Sequence, residues 1–326
     1  MKRPVLIGSL FALILVSVVA TSFGYTIQRP YEWNFQGETW TWTLSVDSKD
    51  YEFFKGLPRV DDLSIYVTTP YDDKFLASLA NSLEEGAKRA GYDEWDTVNL
   101  VISFVQSLPY TSDKATTGYD DYPRYPIETL VDQGGDCEDT AILTAALLRQ
   151  MGYDVVLLNY PNIHTAVGIA GDETVYGTYY EHNGRRYFYL ETTGEGWQIG
   201  AMPDELQLPS TATIVDLSPK PLLTFSWKSM PWQWDNNTVT YQVKLTINNY
   251  GSFASYDTRC YVAFESNQEG YVWDQRESNA STIDPLAWGT LTFYLKAPRE
   301  KWTRLSINVW SNNHPEISDQ SEWFKP

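Results

Sequence analysis

A thiol stands at the head of a helical run in Gly134-Gly135-Asp136-Cys137-Glu138-Asp139-Thr140-Ala141, and apolar residues follow it at helical spacing as far as Gly152. In a helix's first turn the free N–H groups and the positive end of the dipole favour the thiolate, the form that attacks a carbonyl carbon. Acyl chemistry of this kind also needs a base for the thiol proton and a third group that fixes the imidazole tautomer. His164 opens the alternating segment His164-Thr165-Ala166-Val167-Gly168-Ile169 and fits the base. Its same-face neighbours Ala166 and Gly168 are small, which leaves room for a substrate backbone. Glu191, at the end of a later strand-like segment, fits the third place better than Asp172, which lies in a turn. The backbone N–H of Cys137 is the natural oxyanion donor, and Gln106 on the preceding helix is a weak side-chain candidate beside it.

The surroundings of the thiol pose a charge problem. Asp136, Glu138 and Asp139 crowd carboxylates around the sulfur, and like charges raise a thiol pKa. An imidazolium, a bound cation, or side chains that point away must offset them. The same acids have a plainer role in helix initiation, with Asp136 as N-cap and Glu138 and Asp139 in the first turn. With two cysteines and three histidines in all, no zinc-type spacing exists.

Elements must bring these residues together. Residues 26–70 are aromatic and alternate, as in Trp40-Thr41-Trp42-Thr43-Leu44, and read as an N-terminal β extension packed on the core. Beyond Asp72, Phe75, Leu76, Leu79, Ala80 and Leu83 have helical spacing. A second helix capped by Asp96 carries Val98, Val101, Ile102 and Val105 on one face and ends before Pro109. A polar, proline-rich loop spans 111–126. The Cys137 helix buries Ile142, Leu143, Ala146 and Leu147, and strands over 155–158, 163–169, 175–182 and 185–192 follow. Asn183-Gly184 between the last two is a strong type I′ hairpin signal. Residues 71–218 thus read as an α+β catalytic domain with one thiol-bearing helix against an antiparallel sheet. From 219 to 326 the text is strands separated by Asn, Gly, Asp and Pro, as in an immunoglobulin-like β-sandwich. Cys260 lies there as a small buried hydrophobe, leaving Cys137 free.

The chain has 326 residues, a formal charge of −18, 43% hydrophobic and 15% aromatic content. These values describe a folded protein with no phosphate-neutralising patch and exclude sequence-independent binding to nucleic acid. Residues 1–25 open with Lys2 and Arg3 and continue without a charge, which fits a cleaved signal peptide and a single membrane anchor equally well. Either way the remainder is expected to be exported, extracellular or at the cell surface. Sequons at Asn236 and Asn279 are compatible with that.

Gly135-Asp136-Cys137-Glu138-Asp139, the helix through Leu147-Leu148, Gly152 and His164-Thr165-Ala166-Val167 resemble the nucleophile and base motifs of the transglutaminase-like superfamily, over roughly residues 95–195. The resemblance implies a papain-like fold with a Cys-His-Asp triad, in which Glu191 replaces the more usual Asp. Tyr110-Thr111-Ser112-Asp113, Asp120-Asp121, Tyr125 to Leu130 and Gly134 to Asp139 are similar to bacterial periplasmic transglutaminase-like cysteine proteinases. Tyr122 to Glu128 resembles exported archaeal members. The proteinase likeness implies calcium beside the nucleophile, with Asp136 and Glu138 as ligands and Asp113 or Asp120 as further oxygens. No other cofactor is required. The expected function is an exported cysteine hydrolase of peptide or isopeptide amides, acting through Cys137, His164 and Glu191 on a protein or peptide at the cell surface. Isopeptide cross-linking by transglutamination, and an inactive surface module that binds protein or glycan, are the alternatives.

Overall fold

The computed structural model describes residues 24–206 and 212–326. The expected targeting segment therefore lies almost wholly outside the described residues, and among these no helix is long and apolar enough to cross a membrane. The chain opens with a hairpin of β1 (Thr26–Phe35) and β2 (Glu38–Asp47). Strand character ends there, short of the 26–70 expected. Asp47 accepts a hydrogen bond from the Lys49 N–H at 2.8 Å and caps α1 (Ser48–Lys55), and the short buried α2 (Ser64–Thr68) follows. The long amphipathic α3 (Asp73–Ala90) comes next, then α4 (Glu94–Gln106), whose cap is Asp93 rather than Asp96. One turn of helix, α5 (Asp113–Thr116), interrupts the expected loop, and α6 (Pro126–Asp132) leads to α7 (Cys137–Gln150).

Helix α7 is buried along nearly its whole length because α3, α4, α6 and the sheet surround it. That sheet runs β5-β6-β4-β3-β7 and is antiparallel throughout, formed by β3 (Val155–Tyr160), β4 (His164–Gly171), β5 (Tyr179–His182), β6 (Arg185–Leu190) and β7 (Thr213–Val215). Asn183 and Gly184 both have positive φ, 50° and 75°, as the type I′ turn demands. Val155, Leu157, Val167, Ile169, Phe188 and Leu190 share one hydrophobic core with α7 and with Trp33 and Leu44 of the hairpin. The opposite sheet face, with Val156, Leu158, Ala166, Tyr187 and Tyr189, lies under Met202, Leu206 and Ala212.

The C-terminal region is all β, in two sheets. One orders β13 (Trp288–Pro298), β9 (Thr238–Asn249) and β8 (Leu223–Trp234). The other joins β11 (Val272–Glu277), β10 (Ser255–Ser266), β14 (Thr303–Ser311) and β15 (His314–Gln320), with β12 (Ser281–Ile283) beside β10. Their inner faces share a second core containing Val243, Leu245, Val262, Phe264 and Ile307. Cys260 is a fully buried member of it, and both cysteines are free.

Candidate active site

Cys137 is the first residue of α7, and the chain reaches it through a tight cap. Asp136 and Asp139 form a reciprocal capping box, the Asp139 carboxylate accepting from the Asp136 N–H at 3.2 Å. Gly135 is needed where it stands, since a Cβ there would come within 2.5 Å of Asp139 Cβ. His164 is the first residue of β4 and pairs with Tyr160. It shares a cleft of about 650 Å³ with Cys137 and Glu138, walled by Tyr160, Ile163, Asp120 and Asp121.

The imidazole Nε2 lies 3.1 Å from Glu191 Oε2. Glu191 is held on every side: Tyr189 OH donates to Oε2 at 2.6 Å, while the Thr192 and Thr193 N–H groups, both at 2.9 Å, and Thr193 Oγ1 at 2.7 Å donate to Oε1. Burial opposes ionisation, but the His164 contact and these donors outweigh it and take the carboxyl down to about 2. Tyr189 lies two residues before Glu191, so strand alternation puts both on one face. That signal was present in the sequence. Asp172 instead closes its own exposed turn by accepting from Thr174.

The small residues Ala166 and Gly168 have another purpose than leaving space for substrate. Ala166 is fully buried, and a Cβ on Gly168 would meet Val156 at 2.9 Å and Tyr187 at 3.0 Å. They admit the aromatic layer behind the sheet, and His164 meets the cleft only because it sits at the strand's end.

Gln106 is no free oxyanion donor. It is 4% exposed, its Nε2 donates to the Glu191 carbonyl at 2.8 Å and to the Trp197 carbonyl at 3.0 Å, and its Oε1 accepts from the Gly196 N–H at 3.1 Å. Its amide is spent fastening the chain after β6 to α4, and it therefore positions Glu191 from behind.

The expected charge problem is real. The thiol donates to Glu138 Oε2 at 3.2 Å, and burial followed by the Glu138 charge pushes it well above its ordinary range, against the favourable Thr165 N–H. Among the described residues, Asp113, Asp121 and Glu138 bring carboxylate oxygens within 4.8 Å of one another, as do Asp113, Asp136 and Asp139. Asp120 belongs to neither group. Its side chain is 87% exposed and pairs with Lys114 at 2.9 Å, while its neighbour Asp121, also exposed, turns its carboxylate toward Asp113 and Glu138. The inner group already has a cation, Arg124, which is 1% exposed and bonds Asp113 at 2.7 Å and Asp139 more closely still. Asp136 Oδ1 stays buried without a hydrogen-bond partner, and burial with the charges of Asp139 and Glu138 raises its pKa. Sequence reasoning did not single out Arg124. A lone arginine in a polar stretch gives no sign of its burial.

A family model described as a transglutaminase-like domain matches residues 75–180. No curated protein matches the sequence. Among solved structures, calcium-bound LapG of Legionella pneumophila is 18% identical with a TM-score of 0.30, covering 51% of this chain and 80% of that one. A red sea bream transglutaminase is 10% identical with a TM-score of 0.25, covering 90% and 61%. A CARDB domain from Pyrococcus furiosus is 18% identical with a TM-score of 0.24, covering 32% and 94%. The thiol-bearing helix α7 and strands β3 and β4, with His164, fall within the family match, whereas β6, β7 and Glu191 lie beyond its end; residues 75–180 match a transglutaminase-like domain, and an all-β region follows the sheet.

Proposed function

We propose that this protein is an exported cysteine hydrolase that cleaves peptide or isopeptide amide bonds of proteins at the cell surface. The observation that carries the reading is the His164–Glu191 pair at 3.1 Å, with His164 lining the same cleft as the helix-start thiol of Cys137 and Glu191 buried behind it. With Nε2 committed to Glu191, Nδ1 is the nitrogen left to take the thiol proton. The thiolate then adds to the amide carbonyl, the Cys137 N–H supports the developing oxyanion, and the imidazolium returns the proton to the departing amine. Water, deprotonated by the same imidazole, releases the acyl group as a carboxylate and regenerates the thiol. The open cleft admits water, which favours hydrolysis over transfer to an amine.

A divalent cation fits beside this chemistry. Asp113, Asp121 and Glu138 supply hard oxygen donors, the set that suits Ca2+, and Asp136 Oδ1 is an unpartnered oxygen next to them. Bound there, Ca2+ would neutralise the Glu138 charge that now raises the thiol. The residues themselves hold the rest: Arg124 neutralises Asp139 from inside, and the Thr165 N–H supports the sulfur.

An electrophilic peptide-amide probe tests the nucleophile. Labelling is expected on Cys137 and absent in Cys137→Ala; labelling that survives this substitution refutes the assignment. Incubation with isolated cell-surface proteins, with and without chelator and an added amine, separates outcomes by mass spectrometry: new carboxyl termini support hydrolysis, and amine incorporation in their place supports cross-linking.

A further inference from the structure

One face of the C-terminal sandwich differs in charge from the rest of the molecule. Strands β8, β9 and β13 contain no Asp or Glu, in a chain with 42 of them and a net charge of −18. Register places their outward residues rung by rung. On the middle rung Lys228 lies directly opposite Lys244, an arrangement of like charges that costs stability and that an anion would relieve. Edge strands carry lysines to block pairing with other chains, which accounts for Lys228 on β8. It does not account for Lys244, because β9 is the central strand. Lys296, two rungs away, already has Asp235 as an anionic neighbour.

Aromatic rings flank the lysine rung. Tyr294, Gln242 and Met230 lie on the next rung, and the register shift between Pro231 and Gln233 turns Trp232 onto Tyr294 with ring centroids 5.6 Å apart. Gln242 Nε2 donates to Tyr294 OH at 2.8 Å, which fixes the ring. At the other end Trp288 pairs with Asn248 and is 69% exposed, and Trp232 is 56% exposed. The rung between carries Thr246 and Thr290, hydrogen-bonded at 3.1 Å. Trp288 and Tyr294 stand six residues apart on one strand, about 20 Å at the usual rise per residue.

We propose that this face binds an acidic polysaccharide laid along β13. Pyranose rings would rest on the Trp232–Tyr294 pair and on Trp288, carboxylate or sulfate groups would meet Lys228 and Lys244, and hydroxyls would bond the threonines and Asn248. A protein partner would call for an apolar anchor seated in a pocket, whereas the outward residues of this face include hydroxyls and amides, Thr240, Gln242, Thr246, Asn248, Thr290 and Thr292. The proposal is independent of the cysteine chemistry.

Affinity electrophoresis of the full chain through gels containing polygalacturonate, hyaluronate or heparin, with dextran as neutral control, tests it. Retardation by at least one acidic polymer but not by dextran is expected, weakening with salt. Affinity should fall by about tenfold in Lys228→Gln/Lys244→Gln and similarly in Trp232→Ala/Tyr294→Ala, with melting curves showing that both variants remain folded. Retardation by none of the polymers, or retardation unchanged in both variants, overturns the proposal. Equal binding to polyglutamate that ignores Trp232→Ala/Tyr294→Ala overturns it in favour of an acidic protein, and binding only to phosphatidylglycerol vesicles overturns it in favour of a membrane.

Discussion

Glu191 links structure to pH more directly than any other residue of the candidate site. Its pKa falls from 4.5 to about 2 in the fold, although burial alone would raise it, because His164, Tyr189 and Thr193 stabilise the charge. A carboxyl depressed in this way contributes stability that is fully present above pH 4.5 and is lost as pH falls toward 2. Glu191→Gln is therefore expected to flatten the stability profile across that window in denaturant melts. The same substitution places an amide among the Thr192 and Thr193 donors and leaves the imidazole without its carboxylate, so kcat on an amide substrate should drop by roughly 10²- to 10⁴-fold. Cys137, His164 and Glu191 were legible because residue type, helix start and strand alternation all agree on them. Asp121 was not. In an irregular stretch no period says which of Asp120 and Asp121 turns toward Asp113 and Glu138, whereas Gln106 lies four residues beyond Ile102 on a buried stripe, and that spacing predicts its burial.

Helix α7 depends on a buried cation as much as on its apolar face. Arg124 sits between Asp113 and Asp139 with all three side chains almost wholly buried, so removing the guanidinium strands two carboxylates. Arg124→Met should cost about 3–5 kcal/mol in chemical denaturation, and adding Asp113→Asn and Asp139→Asn should restore most of it. Asp72, before α3, presents the opposite case. Both its oxygens are buried without partners, and burial raises its pKa well above 3.8. A carboxyl raised in the fold costs stability increasingly as pH climbs past its unfolded value, so Asp72→Asn should stabilise the protein at pH 7.5 by about 1–3 kcal/mol and give no gain at pH 3. Element types came through where a period ran long, as in α3, α7 and the sandwich strands. Helices α1 and α2 were missed for a physical reason: eight and five residues are too short to establish a helical period, and Ser64-Ile65-Tyr66-Val67-Thr68 is β-branched and fully buried, the composition of a strand.

At the scale of the whole molecule, the distribution of buried apolar side chains argues for two cooperative units. The hairpin, the helices and one sheet face share a single core, in which Trp33 packs edge-on against Phe104 with centroids 5.0 Å apart. The sandwich has its own core. Across the join Tyr250 packs against the first core, Lys220 reaches Asp62 at 2.7 Å with both side chains 41% exposed, and Ser252 bonds Thr68 at 3.1 Å. An ion pair that exposed contributes little. These long-range partners were invisible in the sequence, because nothing local to Asp62 or Lys220 selects the other, whereas the packing of aromatic strands on the core followed from their alternation. Calorimetry should accordingly resolve two transitions. Val262→Ala, at a fully buried position of the sandwich, should lower one of them, and Leu143→Ala in α7 should lower the other, each by about 2–5 kcal/mol of its unit's stability. Trp33→Ala decides whether the hairpin belongs with the transglutaminase-like unit. It should move the same transition as Leu143→Ala, and a third transition, or a shift confined to the sandwich, would show that the shared core does not unfold as one.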